Sequence, residues 1–170
     1  MFARHFIDSL DFAHNGRELH GLFPLVELTR LHDLLATSEG EISYFVRGLP
    51  DKDGKPMLKL TVVGQCQLSC QRCLNGFSYS INLVSHLWLT QAGELDAFSV
   101  EENDEMDSIT ADKHLDVLNM IEEEILLSLP IAPKHPVGEC SPVAEGWSPS
   151  KTNSFAALEG LRVWSDLKNK

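Results

Sequence analysis

The stretch that decides the fold is "MLKLTVVGQCQLSCQRCLNGFSYSINLVSHLWLT", Met57 to Thr90. Leu58, Leu60 and Val62 alternate with Lys59, Thr61 and Val63, a period of two that sorts side chains onto opposite faces of a strand. After the turn residues Cys70 to Gly76 the alternation resumes in Phe77, Tyr79, Ile81 and Leu83, with Trp88 among apolar residues near the end. Upstream, Ile42, Tyr44 and Val46 alternate with Ser43, Phe45 and Arg47, and the Pro, Asp and Gly of residues 49–55 read as a hairpin loop. Three strands joined in sequence predict an α+β fold: an antiparallel β-meander or partly closed barrel with packed helices.

The helices are read from spacing and punctuation. Phe6, Leu10 and Ala13 predict a short helix, His20 to Leu25 a connector, and Leu28, Leu31, Leu34 and Leu35 a second helix ending near Gly40. The clearest helix runs over 117–129. Asp116 is its candidate N-cap, Leu115 and Met120 have the spacing of a hydrophobic staple, and Pro130 stops it. Leu118, Ile121, Ile125 and Leu129 should dock on the sheet. Glu122, Glu123 and Glu124 are consecutive, so they fan around the helix, and a solvated face is expected rather than an acid–base site.

With 170 residues, 43% of them hydrophobic and 23% charged, the chain fits one soluble domain. That domain is expected over 1–150, with an acidic loop at 91–112 and a Pro-rich connector at 130–149. Residues 151–170, with Phe155, Leu158, Leu161 and Trp164 at helical spacing, read as a helical tail. No run of about 18 apolar residues is long enough to span a bilayer, and Met1 to Leu10 lacks the apolar core of a signal peptide, which points to the cytoplasm. Acids outnumber bases 25 to 14, a net charge of −11 that disfavours a protein holding nucleic acid mainly through phosphates. A basic protein partner suits the charge better. Glu101, Glu102, Asp104 and Glu105 in the acidic loop are the candidate partner-binding residues.

Three of the four cysteines fall within eight residues. Cys66 shares a strand face with Leu68, so its expected role is packing. Cys70 and Cys73 bracket a turn, where two sulfurs can aim at one tetrahedral ion. His135 and Cys140 in the connector complete a candidate Cys3His set for structural zinc. Two other readings stay open: a redox Cys-x-x-Cys pair, disfavoured because no helix follows it, and ordinary reduced thiols. His-Glu-x-x-His, Gly-x-Ser-x-Gly, phosphate-loop and dinucleotide patterns are absent, so an enzyme is not expected. The remaining histidines, His5, His14, His20, His32, His86 and His114, read as surface or core residues.

Three motifs in order, "CQRCL" at Cys70 to Leu74, "IEEEILLSLP" at Ile121 to Pro130 and "NSFAALEGL" at Asn153 to Leu161, resemble the bacterial YceD family of large ribosomal RNA subunit accumulation proteins, over nearly the whole chain. The residues carrying the likeness are Cys70, Arg72, Cys73, Leu74, Glu122, Glu123, Glu124, Leu129, Pro130 and Phe155. The resemblance implies a cytoplasmic, non-enzymatic factor in the synthesis, processing or stability of 23S ribosomal RNA. Its partners would be the RNA precursor or large-subunit assembly proteins. Many relatives carry more cysteines in the connector than the His135 and Cys140 found here. Two mechanisms follow: an acidic adaptor for a basic protein, or direct RNA contact through a basic face of Arg72, Lys59, Lys168 and Lys170. A thiol oxidoreductase is the third class.

Overall fold

Alternation of large apolar and polar residues over so long a stretch leaves the chain one economical choice, to pair the strands and bury a single face. The computed structural model describes residues 4–91 and 107–140. Its elements run β1 (Phe6–Ile7), α1 (Ser9–His14), β2 (Glu18–Pro24), two 3-10 turns (Leu25–Glu27 and Thr29–Leu31), β3 (Leu35–Thr37), β4 (Glu41–Pro50), β5 (Pro56–Ser69), β6 (Gly76–Thr90), β7 (Asp107–Thr110), β8 (Leu115–Asp116) and α2 (Val117–Ser128).

Among the described residues one six-stranded sheet has the order β2-β4-β5-β6-β7, with β3 on β5, and β1 pairs separately with β8. β4 and β5 run antiparallel from Ile42 opposite Gly64 to Pro50 opposite Pro56. β5 and β6 pair from Met57 opposite Trp88 to Ser69 opposite Gly76. The edge of β5 that β4 leaves is taken up by β3, with Leu35 opposite Leu68. The path ends at β2 and β7, so the described strands form an open sheet and no closed barrel.

One face of that sheet makes the core. Ile42, Val46, Leu58, Leu60, Val62 and Leu87 are fully buried there, in one cluster with Leu118, Ile121 and Ile125 of α2. Each such side chain contributes about 1.5–3 kcal/mol over an exposed one. α2 starts as its punctuation predicts: the Asp116 carboxylate accepts from the amides of Leu118 and Asn119, at 3.0 and 3.4 Å. On the opposite face Ser43, Val63 and Val84 are exposed, and no described helix covers them.

Several expectations are corrected. Residues 18–24 are a strand, not a connector, with Leu19, Gly21 and Phe23 turned inward. Gly21 breaks the apolar period because a Cβ there would lie 2.7 Å from the Tyr44 hydroxyl. Tyr44 fills that space and stacks on Phe23, ring centroids 4.4 Å apart. The second helix is absent: Leu25 and Leu31 reach the core from the two 3-10 turns and Leu28 from the junction between them, neither turn has a side-chain cap, and Leu35 begins β3. The span expected as an acidic loop, 91–112, contains a strand, since Asp107–Thr110 pairs in parallel with β6. Its proposed partner-binding residues Glu101, Glu102, Asp104 and Glu105 lie outside the described residues, as does the 151–170 tail.

The carboxylates of α2 also depart from a solvated face. Glu123 is exposed, but Glu122 is 5% and Glu124 7% exposed. Val117, Leu118, Met120, Ile121 and Ile125 are buried as well, so the helix is enclosed on most sides. Glu122 Oε1 accepts the Arg30 backbone N–H at 2.6 Å, tying α2 to the second 3-10 turn. Burial raises the Glu124 carboxyl above its ordinary 4.5; a hydrogen bond with Ser85 opposes this, and Asp107 and Glu123 add to it. A carboxyl raised in the folded state stabilises the fold below its ordinary value, and that contribution is lost as pH rises through the folded value. Glu124→Gln is therefore expected to melt above wild type at neutral pH, with the two curves converging as pH falls towards 4.5. Melting temperatures across that range check it, and parallel curves contradict it.

Candidate metal centre

The β5–β6 connection is a tight reversal from Cys70 to Asn75. The Cys70 N–H donates to the Asn75 carbonyl at 3.0 Å, and the Leu74 N–H donates to the Cys70 carbonyl at 2.8 Å. Leu74 takes a positive φ of 61°, which a non-glycine residue adopts at a cost of about 1–2 kcal/mol. Its side chain is 78% exposed.

Past Pro130 the chain returns to this turn. The Gln71 N–H donates to the Pro133 carbonyl at 2.8 Å, and the His135 ring packs against Phe77 with centroids 5.1 Å apart. Gly138, at φ 94°, sits in the turn closed by the Glu139 N–H on the Pro136 carbonyl at 3.2 Å. That turn sends Cys140 back towards the hairpin.

The four candidate ligands meet. Ligand atoms of Cys70, Cys73, His135 and Cys140 all lie within 4.8 Å of one another. Cys70 Sγ is 3.6 Å from Cys140 Sγ, and His135 Nδ1 is 3.4 Å from Cys73 Sγ and 3.7 Å from Cys140 Sγ. A tetrahedral zinc with bonds of about 2.3 Å to sulfur and about 2.0 Å to nitrogen has ligand–ligand edges of about 3.5–3.8 Å. The donor set and these separations fit a metal ion. Cys66 stands apart, 3% exposed in the core, where burial raises its thiol.

The electrostatics favour a cation at the same point. Burial pushes the Cys70 thiol up, but hydrogen bonds from the backbone of His135, Arg72 and Cys73 and from the His135 side chain bring it down to about 5. For Cys73 a backbone hydrogen bond at Asn75 lowers the value, while burial and the neighbouring Cys140 and Cys70 outweigh it and leave the thiol raised. Three sulfurs this close cannot all ionise cheaply unless positive charge lies between or beside them. Arg72 supplies part of it. Its Nε donates to Cys140 Sγ at 2.8 Å and its backbone N–H to Cys70 Sγ at 3.4 Å. The Arg72 side-chain contact was not legible in the sequence, because Cys140 is 68 residues away.

Residues 58–162, well over half of the chain, match the family model described as large ribosomal RNA subunit accumulation protein YceD. The chain belongs to the YceD family. No solved structure matches it. The match opens at Leu58, so it takes in all but the first two residues of β5, with β6, α2 and the metal-centre turn, while the first 57 residues fall outside it. Of the motif residues in this YceD-family chain, Cys70, Arg72, Cys73 and Leu74 build the turn. Glu122, Glu123 and Glu124 lie on α2, and Leu129 and Pro130 end it. Phe155 lies outside the described residues. Among the described residues no helix is long and apolar enough to cross a membrane.

Proposed function

We propose that this chain is a cytoplasmic, non-enzymatic factor in the accumulation of large-subunit ribosomal RNA, acting as an acidic adaptor for a basic ribosomal or assembly protein on a scaffold locked by structural zinc. The family supplies the RNA end of this reading. The adaptor end rests on the groove between β7 and α2, about 510 Å³, lined by Asp107, Asp112, Asp116, Glu123 and Glu124 with Leu115, Met120 and Leu127 among them. A lysine or arginine entering the groove meets carboxylates for its charge and aliphatic surface for its stem. A closed Cys3His set keeps no coordination position for a substrate, which fits a structural ion better than a catalytic one. The thiol-exchange alternative is weaker because the Cys70–Cys73 pair sits in a hairpin turn and not at a helix N-terminus that would activate it.

Crosslinking from growing cells tests the adaptor. The full chain should capture basic large-subunit proteins, and the Asp107→Asn, Glu123→Gln double variant should lose about tenfold or more of that capture. Equal capture by the variant removes the groove from the mechanism.

A further inference from the structure

The sheet face turned away from α2 carries a pattern that the adaptor does not use. Register places Glu18, Arg47, Lys59 and His86 in one row across four strands, with its positive charges on the two central ones. The next row is His20, Phe45, Thr61 and Val84. On the other side of the cationic row, the Lys55 ammonium lies 5.5 Å from the Trp88 ring centroid. Val63 and Val84 are 49% and 51% exposed, and none of the described elements covers the face.

Two features point to a partner. Like charges directly opposite on neighbouring strands destabilise a sheet, yet Arg47 faces Lys59. Arg47 is relieved by Glu18 at 3.3 Å, whereas Lys59 has no carboxylate partner among the described residues. An anion over this row offsets the repulsion. The second feature is the flat rings flanking the row, His20 and Phe45 on one side and Trp88 on the other, with His86 within it. An acidic peptide would use the charges and leave the rings idle, and a duplex keeps its base faces hidden. An unpaired strand uses both, with phosphates on Lys and Arg and bases stacked on planar side chains.

We infer that the open face of the sheet binds single-stranded RNA, with Lys59 and Arg47 contacting phosphates and His20, Phe45 and His86 offering stacking surfaces. That the nucleic acid is RNA rests on the family role; the site itself is independent of the acidic groove, which lies on the α2 side. It also replaces the basic face expected from sequence. Lys59 lies near the start of β5 and Arg72 in the turn past its end, about 30 Å or more apart along the strand. Lys168 and Lys170 lie outside the described residues.

The test is fluorescence anisotropy of the full chain with an unstructured RNA of about 12 nucleotides, titrated between about 50 and 200 mM salt. Wild type is expected to bind with a log–log salt slope of about −1.4 or steeper, the share of two phosphate contacts on a single strand. Lys59→Gln and Arg47→Gln should each flatten the slope by about 0.7 and weaken binding about fivefold or more. Lys59→Gln should melt at or above wild type, since it removes a repulsion. His20→Ala, at an exposed position, should weaken binding with the slope unchanged. Absence of binding at low salt, wild-type affinity in all three variants, or equal affinity for a duplex of the same length overturns the inference. Protein capture through the acidic groove is unaffected by those outcomes, so failure here and failure of the adaptor are distinguishable.

Discussion

Full-length protein purified without chelator is expected to carry about one zinc ion per chain, and Cys140→Ser to carry almost none. Cys140 is the informative position because it is half-buried and sits on the connector, so its loss opens the site without cutting into the sheet. Cys66→Ser is the control: its sulfur lies in the core away from the quartet, so zinc content stays at wild type. Binding to folded chains alone adds to folding free energy, so stripping the metal should lower stability by at least about 3 kcal/mol. The loss should be local first. The Gln71 amide, bonded to the Pro133 carbonyl, should exchange faster once the connector is released. Three thiolates and one divalent ion leave a net charge of −1, which the Arg72 guanidinium on Cys140 Sγ neutralises. Arg72→Gln should therefore weaken zinc binding about tenfold or more, the usual weight of a group that orients a ligand from behind. Elemental analysis of all four proteins decides the matter, and zinc content near zero in wild type removes the metal reading altogether.

How much of this was legible in sequence depends on whether the signal was local. β5 and β6 were, because Leu58, Leu60, Val62 and then Ile81 and Leu83 keep a strict period of two beside a partner of the same kind. β2 was hidden by Gly21, which is inward-facing but apolar only by default, since Tyr44 takes its space. Leu28, Leu31, Leu34 and Leu35 have helical spacing, yet three-residue turns also present one residue in three to a core, so periodicity could not separate the two. β7 pairs in parallel beyond an acidic stretch, with Ile109 as the sole apolar side chain in four residues. Nothing local marks such a strand. The same division runs through the metal centre. Cys-x-x-Cys in a turn and a His and Cys in the connector are spacings that can be read, whereas the Arg72 side chain on Cys140 and Phe77 behind His135 are contacts between distant segments. The register that places Arg47 against Lys59 became visible only once the strands were paired.

Gly48→Ala is expected to destabilise the fold by about 3 kcal/mol, more than the loss of most surface interactions. The reason is what a methyl group would meet: the Phe12 carbonyl oxygen at 2.3 Å, Ala13 Cα at 2.6 Å and the Phe12 carbonyl carbon at 2.8 Å, all backbone. A side chain in the way could swing aside; the last turn of α1 cannot, because Phe12 and Ala13 are themselves buried and the Gly48 N–H donates to the Arg17 carbonyl just beyond it. Glycine inside a strand usually weakens it. Here it lets a helix backbone rest directly on β4, and that contact closes the core at the end of the sheet away from the metal centre. Gly54→Ala separates this steric effect from backbone strain. Gly54 has φ 79° in the β4–β5 loop and open space around its Cα, so its cost should be the left-handed penalty alone, about 1 kcal/mol. Urea unfolding of the two variants gives the comparison, and protease sensitivity within residues 9–14 should rise in Gly48→Ala and stay at wild type in Gly54→Ala. Equal midpoints for the two would mean that α1 does not depend on the bare Cα of Gly48 for its seat on the sheet.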